Sequence, residues 1–294
     1  MKKLILTSVV LLMAMMAQAQ TKIAPKLQNG FKAVYISESS LSAMGKECKM
    51  TDESEYVVSN VTDKGAVITV TTKDIKINGD ENDITTQLLL LSEQMFTGVS
   101  VQLITNAEGQ VTGVKNLDEV KNKALEYADK MIEKLLAKSP EVAQAMPKET
   151  LMKQLTSKMT EEALVGQFSK NGVLALNGKT VTNGATETYE GDEGMKMKRM
   201  YFVVGKNIIT NSTLDMQKDD LKNLIIKQVE EQAPEQAEMI KQNIDLVMGQ
   251  MKFEMSEKST YQLQDNGWVK SVKNEVNQNM MGQVMKATET ITLK

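Results

Sequence analysis

The sequence predicts an α+β fold: a curved antiparallel sheet, or sheets, with helices packed on one face. Three observations carry this reading. Both ends of the chain alternate apolar and polar residues with a period of two, as strands with one solvated face do. The middle carries apolar stripes at helical spacing. Runs of strands followed by runs of helices, without regular strand-helix-strand alternation, mark α+β over a doubly wound sheet.

The elements follow in chain order. Residues 31–37, 47–60 and 66–77 read as strands, the last two joined through Thr62-Asp63-Lys64-Gly65. In the third, Val67, Thr69 and Thr71 fall on the face opposite Ile68 and Val70. A short helix over 84–96 comes next, then a hairpin of 99–105 and 110–114 about Ala107-Glu108-Gly109. Asn116 is placed to cap a long helix with Glu119 reaching back to it, a capping-box variant. Leu117, Val120, Ala124, Ala128, Met131 and Leu135 form that helix's apolar stripe. Ser139-Pro140 interrupts it, and Pro147 opens a further helix striped by Leu151, Leu155, Met159 and Ala163. Residues 172–214 return to strands, including 200–204 and 207–213. Residues 219–250 are helical with a break at Ala233-Pro234, after which Ala237, Ile240, Ile244, Val247 and Met251 keep the spacing of a buried face. Strands at 252–255, 259–263, 268–277 and 287–293 close the chain. Residues 20–294 thus form one α+β region, with a division into two lobes, 20–170 and 171–294, open to it.

The first nineteen residues read differently. Lys2 and Lys3 precede an apolar run over 4–16 and then Ala17-Gln18-Ala19, the order of a cleavable secretory signal. The run is well short of the roughly 20 residues a spanning helix needs. Residues 1–19 are therefore expected to be a signal peptide cleaved after Ala19, and the mature chain to be periplasmic or secreted. Gln20, not a cysteine, follows the cleavage site, so no lipid anchor is expected there, and no later run is long enough to span a membrane. Without Lys2 and Lys3, 33 of the 35 basic residues face 38 acidic ones, a net charge of −5, which argues against a nucleic-acid partner.

Much chemistry is excluded by composition. The chain has no histidine, which removes Ser-His-Asp, Cys-His and HExxH sites together. Arg199 is its one arginine, so paired guanidinium forks for phosphate or carboxylate are not available. Cys48, the one cysteine, falls in a strand and reads as a small hydrophobe. Paired acids such as Asp80-Glu81 and Asp219-Asp220 lie where turns and first helical turns carry them. The run Asn78-Gly79-Asp80-Glu81-Asn82-Asp83 lacks the spacing of a calcium-binding EF-hand loop and reads as a turn into a helix cap. Met195, Met197 and Met200, and Met280, Met281 and Met285, suggest thioether copper ligands. Strand alternation divides the first group between two faces, and Lys196, Lys198 and Arg199 repel a cation. No metal and no cofactor is expected.

What remains points to apolar binding. Eighteen of the 22 methionines lie after residue 19, and flexible thioether side chains suit surfaces that accept varied apolar ligands as well as cores. The run Leu88-Leu89-Leu90-Leu91, continuing to Met95 and Phe96, is apolar on every side of a short helix and must be enclosed, either in an ordinary core or across the mouth of a curved sheet where it lines a cavity. Leu88, Leu91, Met95 and Phe96 are accordingly the candidate ligand-binding residues. Tyr261 and Trp268 read as a buried aromatic pairing in the last hairpin.

The ending at Ala17-Gln18-Ala19, the stretch from Tyr261 through Trp268 to Val272, and the closing Thr288-Glu-Thr-Ile-Thr-Leu293 resemble uncharacterised exported proteins of Bacteroidota. More remotely, long antiparallel strands with helices against a concave face are similar to LolA-type periplasmic lipoprotein carriers, whose open sheet holds acyl chains. The chain departs from those carriers in length and in lacking the arginine that holds their cargo. The resemblance therefore implies apolar cargo in general, not a lipoprotein. The expected function is that of a non-catalytic cell-envelope protein binding a lipid or other amphiphile in an apolar concavity. A structural or protein-interaction module of the envelope with a filled core is the alternative, and a carboxylate-based hydrolase, marked by two convergent buried carboxylates, is a third class.

Overall fold

The computed structural model describes residues 20–43, 46–79, 94–138, 148–170, 172–191, 194–232, 234–250, 253–280 and 283–294. In chain order the elements are β1 (Gln20–Lys22), β2 (Lys32–Ala43), β3 (Lys46–Thr62), β4 (Gly65–Asn78), β5 (Ser100–Asn106), β6 (Val111–Val114), α1 (Leu117–Lys138), α2 (Lys148–Lys158) and α3 (Glu161–Lys170). They continue with β7 (Thr180–Thr182), β8 (Thr186–Glu190), β9 (Lys196–Val204), β10 (Asn207–Leu214), α4 (Lys218–Gln232), α5 (Pro234–Gln250), β11 (Phe253–Leu263), β12 (Val269–Met280) and β13 (Gln283–Leu293). Eleven strands form one sheet in the order β6-β5-β4-β3-β2-β13-β12-β11-β10-β9-β8, and β1 pairs with β7 in a separate ribbon. Every pairing between these strands is antiparallel. Two meanders, one from each half of the chain, meet where β2 pairs β13, from Tyr35 opposite Leu293 to Ser42 opposite Lys286.

Eleven strands laid flat would span about 50 Å. This sheet curls instead, and a short segment proves it. Asn177 donates its side-chain amide to the Gly109 carbonyl in the β5–β6 turn at 3.2 Å, while Lys179 reaches Glu187 of β8 at 2.8 Å and the Tyr201 hydroxyl of β9 at 3.1 Å. Residues two apart in sequence lie within about 7 Å, so the two flanks of the sheet come within side-chain reach of one another. The gap between them is filled by segment 172–179 and the β1–β7 ribbon. Val173, Leu174, Ala175 and Leu176 are all buried, in one apolar core with Leu103 of β5, Ile208 of β10 and Tyr261 of β11.

One end of this curled sheet is sealed by the chain between β1 and β2. The Ile23 amide donates to the Lys179 carbonyl and the Lys26 amide to the Asn266 carbonyl, both at 2.8 Å. Trp268 holds the strap from below: its indole N–H donates to the Lys26 carbonyl at 3.2 Å and its ring stacks on Phe31 with centroids 4.6 Å apart. Tyr35, on the inner face, donates to the Val269 carbonyl at 2.6 Å and so ties β2 to the same corner.

The antiparallel sheet and the helical middle stand as the sequence implied, but the packing of the helices is narrower than expected. α3 lies against β6, with Glu161 accepting from the Val114 amide at 2.9 Å, and α1 enters the main core through Val120. Farther along, α1 packs on α2 through Ala128, Ile132 and Leu151, and α4 packs on α5 through Leu221, Ile244 and Met248. These hairpins satisfy one another's apolar stripes, so much of their surface is not spent on the sheet.

Three local readings change. The helix expected to run from Leu151 to Ala163 is two helices, because the Thr160 hydroxyl accepts from the Ala163 amide at 3.1 Å and caps α3, leaving Ala163 exposed. The start of 172–214 is not a strand. Its amides bond back three residues, as Asn177 does to the Leu174 carbonyl at 3.1 Å, between two glycines at positive φ, Gly172 and Gly178. An apolar run that fills an interior needs no period. Asn116 does stand at the head of α1, but its side chain serves the sheet: Oδ1 accepts from the Gln102 amide at 2.8 Å and Nδ2 donates to the Ser100 carbonyl at 2.8 Å. Glu119 meets the side-chain amide of Asn116 at 3.3 Å, where the capping box would have it meet the backbone.

A candidate ligand cavity on the concave face

Above the sealed end the inner face opens into a cavity of about 430 Å³. Strands β2 to β5 and β13 make its floor and walls. α3 contributes Leu164 and Phe168, and Val173 and Leu174 close the side opposite the sheet. A volume of this size is in the range of small-molecule sites. Its lining divides into two kinds. Tyr56, Val70, Val99, Val101, Phe96, Phe168 and Ile291 are apolar or aromatic, whereas Ser37, Ser39, Asp52, Ser54, Thr72 and Glu289 are polar.

The polar side belongs to a longer band. Register places Ser39 beside Glu289, then Asn274, Ser259 and Thr210 across β13, β12, β11 and β10. One step along, Ser212 faces Arg199, and Arg199 faces Glu187. Toward the sealed end the same inner face carries Val272, Tyr261 and Ile208, all buried. Toward the other end it carries half-buried Leu41, Met50, Ile77, Met255 and Met285. The concave face is therefore apolar on both sides of a polar belt.

The two ends of the belt differ in charge balance. At the β8–β9 end Arg199, only 7% exposed, donates to the Ser212 hydroxyl at 3.3 Å and stacks over the Tyr189 ring at 4.1 Å. It lies 3.5 Å from Glu187, which also pairs with Lys179 at 2.8 Å and accepts from the Tyr201 hydroxyl. Burial works to raise the Glu187 carboxyl, but the Lys179 and Tyr201 hydrogen bonds outweigh it and hold the group below the usual carboxylate range. Burial also pushes the neighbouring Tyr261 hydroxyl up to about 12. At this end the carboxylate is answered by two cations.

At the cavity end no such balance exists among the described residues. The Ser37 hydroxyl donates to Glu289 at 3.2 Å, Ser54 donates to Asp52 at 3.3 Å, and the Asn274 amide donates to Glu289 at 2.8 Å. No lysine or arginine among the described residues pairs with either acid. Burial raises the Asp52 carboxyl above the ordinary aspartate value; hydrogen bonds with Ser37 and Ser54 oppose it, and the nearby Glu289 charge adds to it.

Of the residues expected to bind ligand, Leu88 and Leu91 lie outside the described residues, as do Asp80–Asp83 of the acidic run. Met95 and Phe96 are adjacent in sequence yet part company. Phe96 lines the cavity, whereas Met95 is buried against Ala124 of α1 and Met159. Asp52 and Glu289 escaped the sequence reading, although a signal for them exists. On β3 the inward positions run Cys48, Met50, Asp52, Ser54, Tyr56, Val58, and on β13 Met285, Ala287, Glu289, Ile291. An acid at the apolar parity of a strand is that signal. Cys48 is half-buried on β3, and Met197 is buried while Met200 faces outward, as alternation requires. Among the described residues no group of three or more Cys, Asp or Glu side chains is placed to hold a metal ion, and no helix is long and apolar enough to cross a membrane.

No family model matches the chain, and no curated protein matches it. Among solved structures it is similar to lipovitellin, described for its lipid-protein interactions, at 10% identity and a TM-score of 0.39, over 92% of this chain and 25% of that one. It is also similar to a porin-like protein from Bacteroides uniformis at 10% identity and a TM-score of 0.18, over 93% and 98% of the two chains. The chain thus spans a quarter of lipovitellin's length, and both likenesses fall below the level at which a shared fold follows.

Proposed function

We propose that the protein is an exported, non-catalytic component of the cell envelope that holds an amphiphile in the concavity of its curled sheet. The 430 Å³ cavity carries this reading, because its wall pairs aromatic and aliphatic groups with one polar side. That division matches a molecule with an apolar body and a polar head. Half-buried Met50, Ile77, Met255 and Met285 extend the apolar surface beyond the belt with adaptable side chains. The two acids do not favour hydrolysis. A glycosidase sets its carboxyls on opposite sides of the bond it cleaves, whereas Asp52 and Glu289 stand on one sheet face and converge on Ser37 of the strand between them.

Ile75 offers the test, since it lines the cavity without being fully buried. Ile75→Trp is expected to weaken binding of the neutral fluorescent probe N-phenyl-1-naphthylamine about tenfold or more while leaving the urea midpoint nearly unmoved, because the added rings enter free space. If that space is filled core, the same change costs about 1–3 kcal/mol by overpacking. Absence of probe binding by the wild type, together with a destabilised variant, would favour the filled-core module instead. Export carries its own check: protein recovered from the native envelope should have an intact mass that begins at Gln20, and a retained leader would contradict it.

A further inference from the structure

The polar end of the cavity holds more acceptors than donors. Ser37 has one hydroxyl proton to serve two carboxylates, Glu289 at 3.2 Å and Asp52. Ser54 gives its one proton to Asp52, and the Thr72 hydroxyl 3.1 Å away can donate to Ser54 in turn, which leaves Asp52 with no further donor from this pair. Asn274 gives its amide to Glu289, and its buried Oδ1 has no donor among the described residues. Buried acids are ordinarily paired with a cation, and a buried acceptor with a donor. Here half-buried Asp52 and Glu289 line a cavity of about 430 Å³ whose other wall is apolar and aromatic, with no lysine or arginine among the described residues paired to either, and the unanswered Asn274 oxygen lies behind Glu289. At the far end of the same belt, by contrast, Lys179 and Arg199 answer Glu187.

We propose that Asp52 and Glu289 receive a primary ammonium group, so that the bound molecule is a cationic amphiphile with its amine in the polar belt and its apolar body against Tyr56, Val101 and Phe168. An ammonium brings three donors and one positive charge, which is the chemistry the acceptors lack. The aromatic wall suits a cation as well as an alkyl chain. A phosphate or carboxylate head would meet two acids and is disfavoured at this site. The inference rests on the cavity reading above and names its ligand class.

Competition against the bound naphthylamine probe at neutral pH, using octylamine, octanol and octanoate, separates the two. Octylamine is expected to compete at about tenfold lower concentration than octanol, and octanoate to be the weakest. In the Asp52→Asn, Glu289→Gln double variant the ratio of amine to alcohol affinity is expected to fall to near one. Octanoate binding as tightly as the amine, or a ratio that the variant leaves intact, would overturn the ammonium site. If octanol competes without any preference for the amine, only the ammonium site fails; if none of the three competes, the cavity reading fails with it. Should the double variant not fold, the head-group series on the wild type and on Asp52→Asn alone still decides.

Discussion

Replacing Trp268 by alanine is expected to destabilise the protein by about 3–5 kcal/mol, the range for truncating a large buried aromatic. Trp268 is 1% exposed and does three things at once. Its ring stacks on Phe31, its indole N–H satisfies the Lys26 carbonyl, and its position in the β11–β12 turn sets the corner that Tyr35 also reaches through the Val269 carbonyl. Removing it leaves a cavity and an unanswered carbonyl where the strap from β1 to β2 closes the curled sheet. Trp268→Phe separates these contributions. The phenyl ring keeps the stacking and loses the hydrogen bond, so roughly 1–2 kcal/mol should be lost along with some packing. Urea denaturation of the three proteins is the measurement. Equal stabilities for wild type and Trp268→Ala would mean that the strap does not hold the closed end together.

Gly65→Ala should cost as much, by a different route. Gly65 opens β4 after the turn from β3 with φ of +146°, and a Cβ there would lie 1.8 Å from the Thr105 carbonyl oxygen of β5. The neighbour is backbone, so no side chain can swing aside. Either β4 and β5 part or the turn is rebuilt, and a loss of about 4 kcal/mol or more is expected. The Thr105 hydroxyl is bonded to both the amide and the carbonyl of Ala66, at 3.3 and 3.2 Å. Hydrogen exchange should therefore show protection lost first along β4 and β5, and loss confined to distant elements would contradict this account.

The strand pairs and the helical middle were legible because each obeys a period. β9 alternates cleanly, β4 alternates over its first half, and α1 shows its stripe, since one face of each is buried. The places where the reading failed have no period to read. Val173 to Leu176 are apolar because they fill the sheet's interior from every side, and sequence alone cannot tell that from a buried strand. The break before α3 turns on a single capping hydroxyl, that of Thr160.

The site was half legible for a related reason. Phe96 was found as part of an enclosed apolar run, and it does line the cavity, but its neighbour Met95 packs behind it on α1. Asp52 and Glu289 stand 237 positions apart in the chain, and what brings them together is the pairing of β2 with both β3 and β13. No local pattern announces such a pairing. What each strand does announce is an acid where parity calls for an apolar residue.

The claim at the centre of this account is that the concave face binds an apolar chain between its sealed end and its polar belt. Methyl-resolved NMR of the labelled protein, titrated with octanol, tests it most directly, because each wall has its own reporters. Saturable shifts are expected at Val70, Ile75, Val99, Val101, Leu164 and Ile291, which line the cavity, while Ile208 and Val120 in the packed core stay still. Shifts confined to exposed Leu246, Val204 and Val284, or no saturable shift at any methyl, would contradict it.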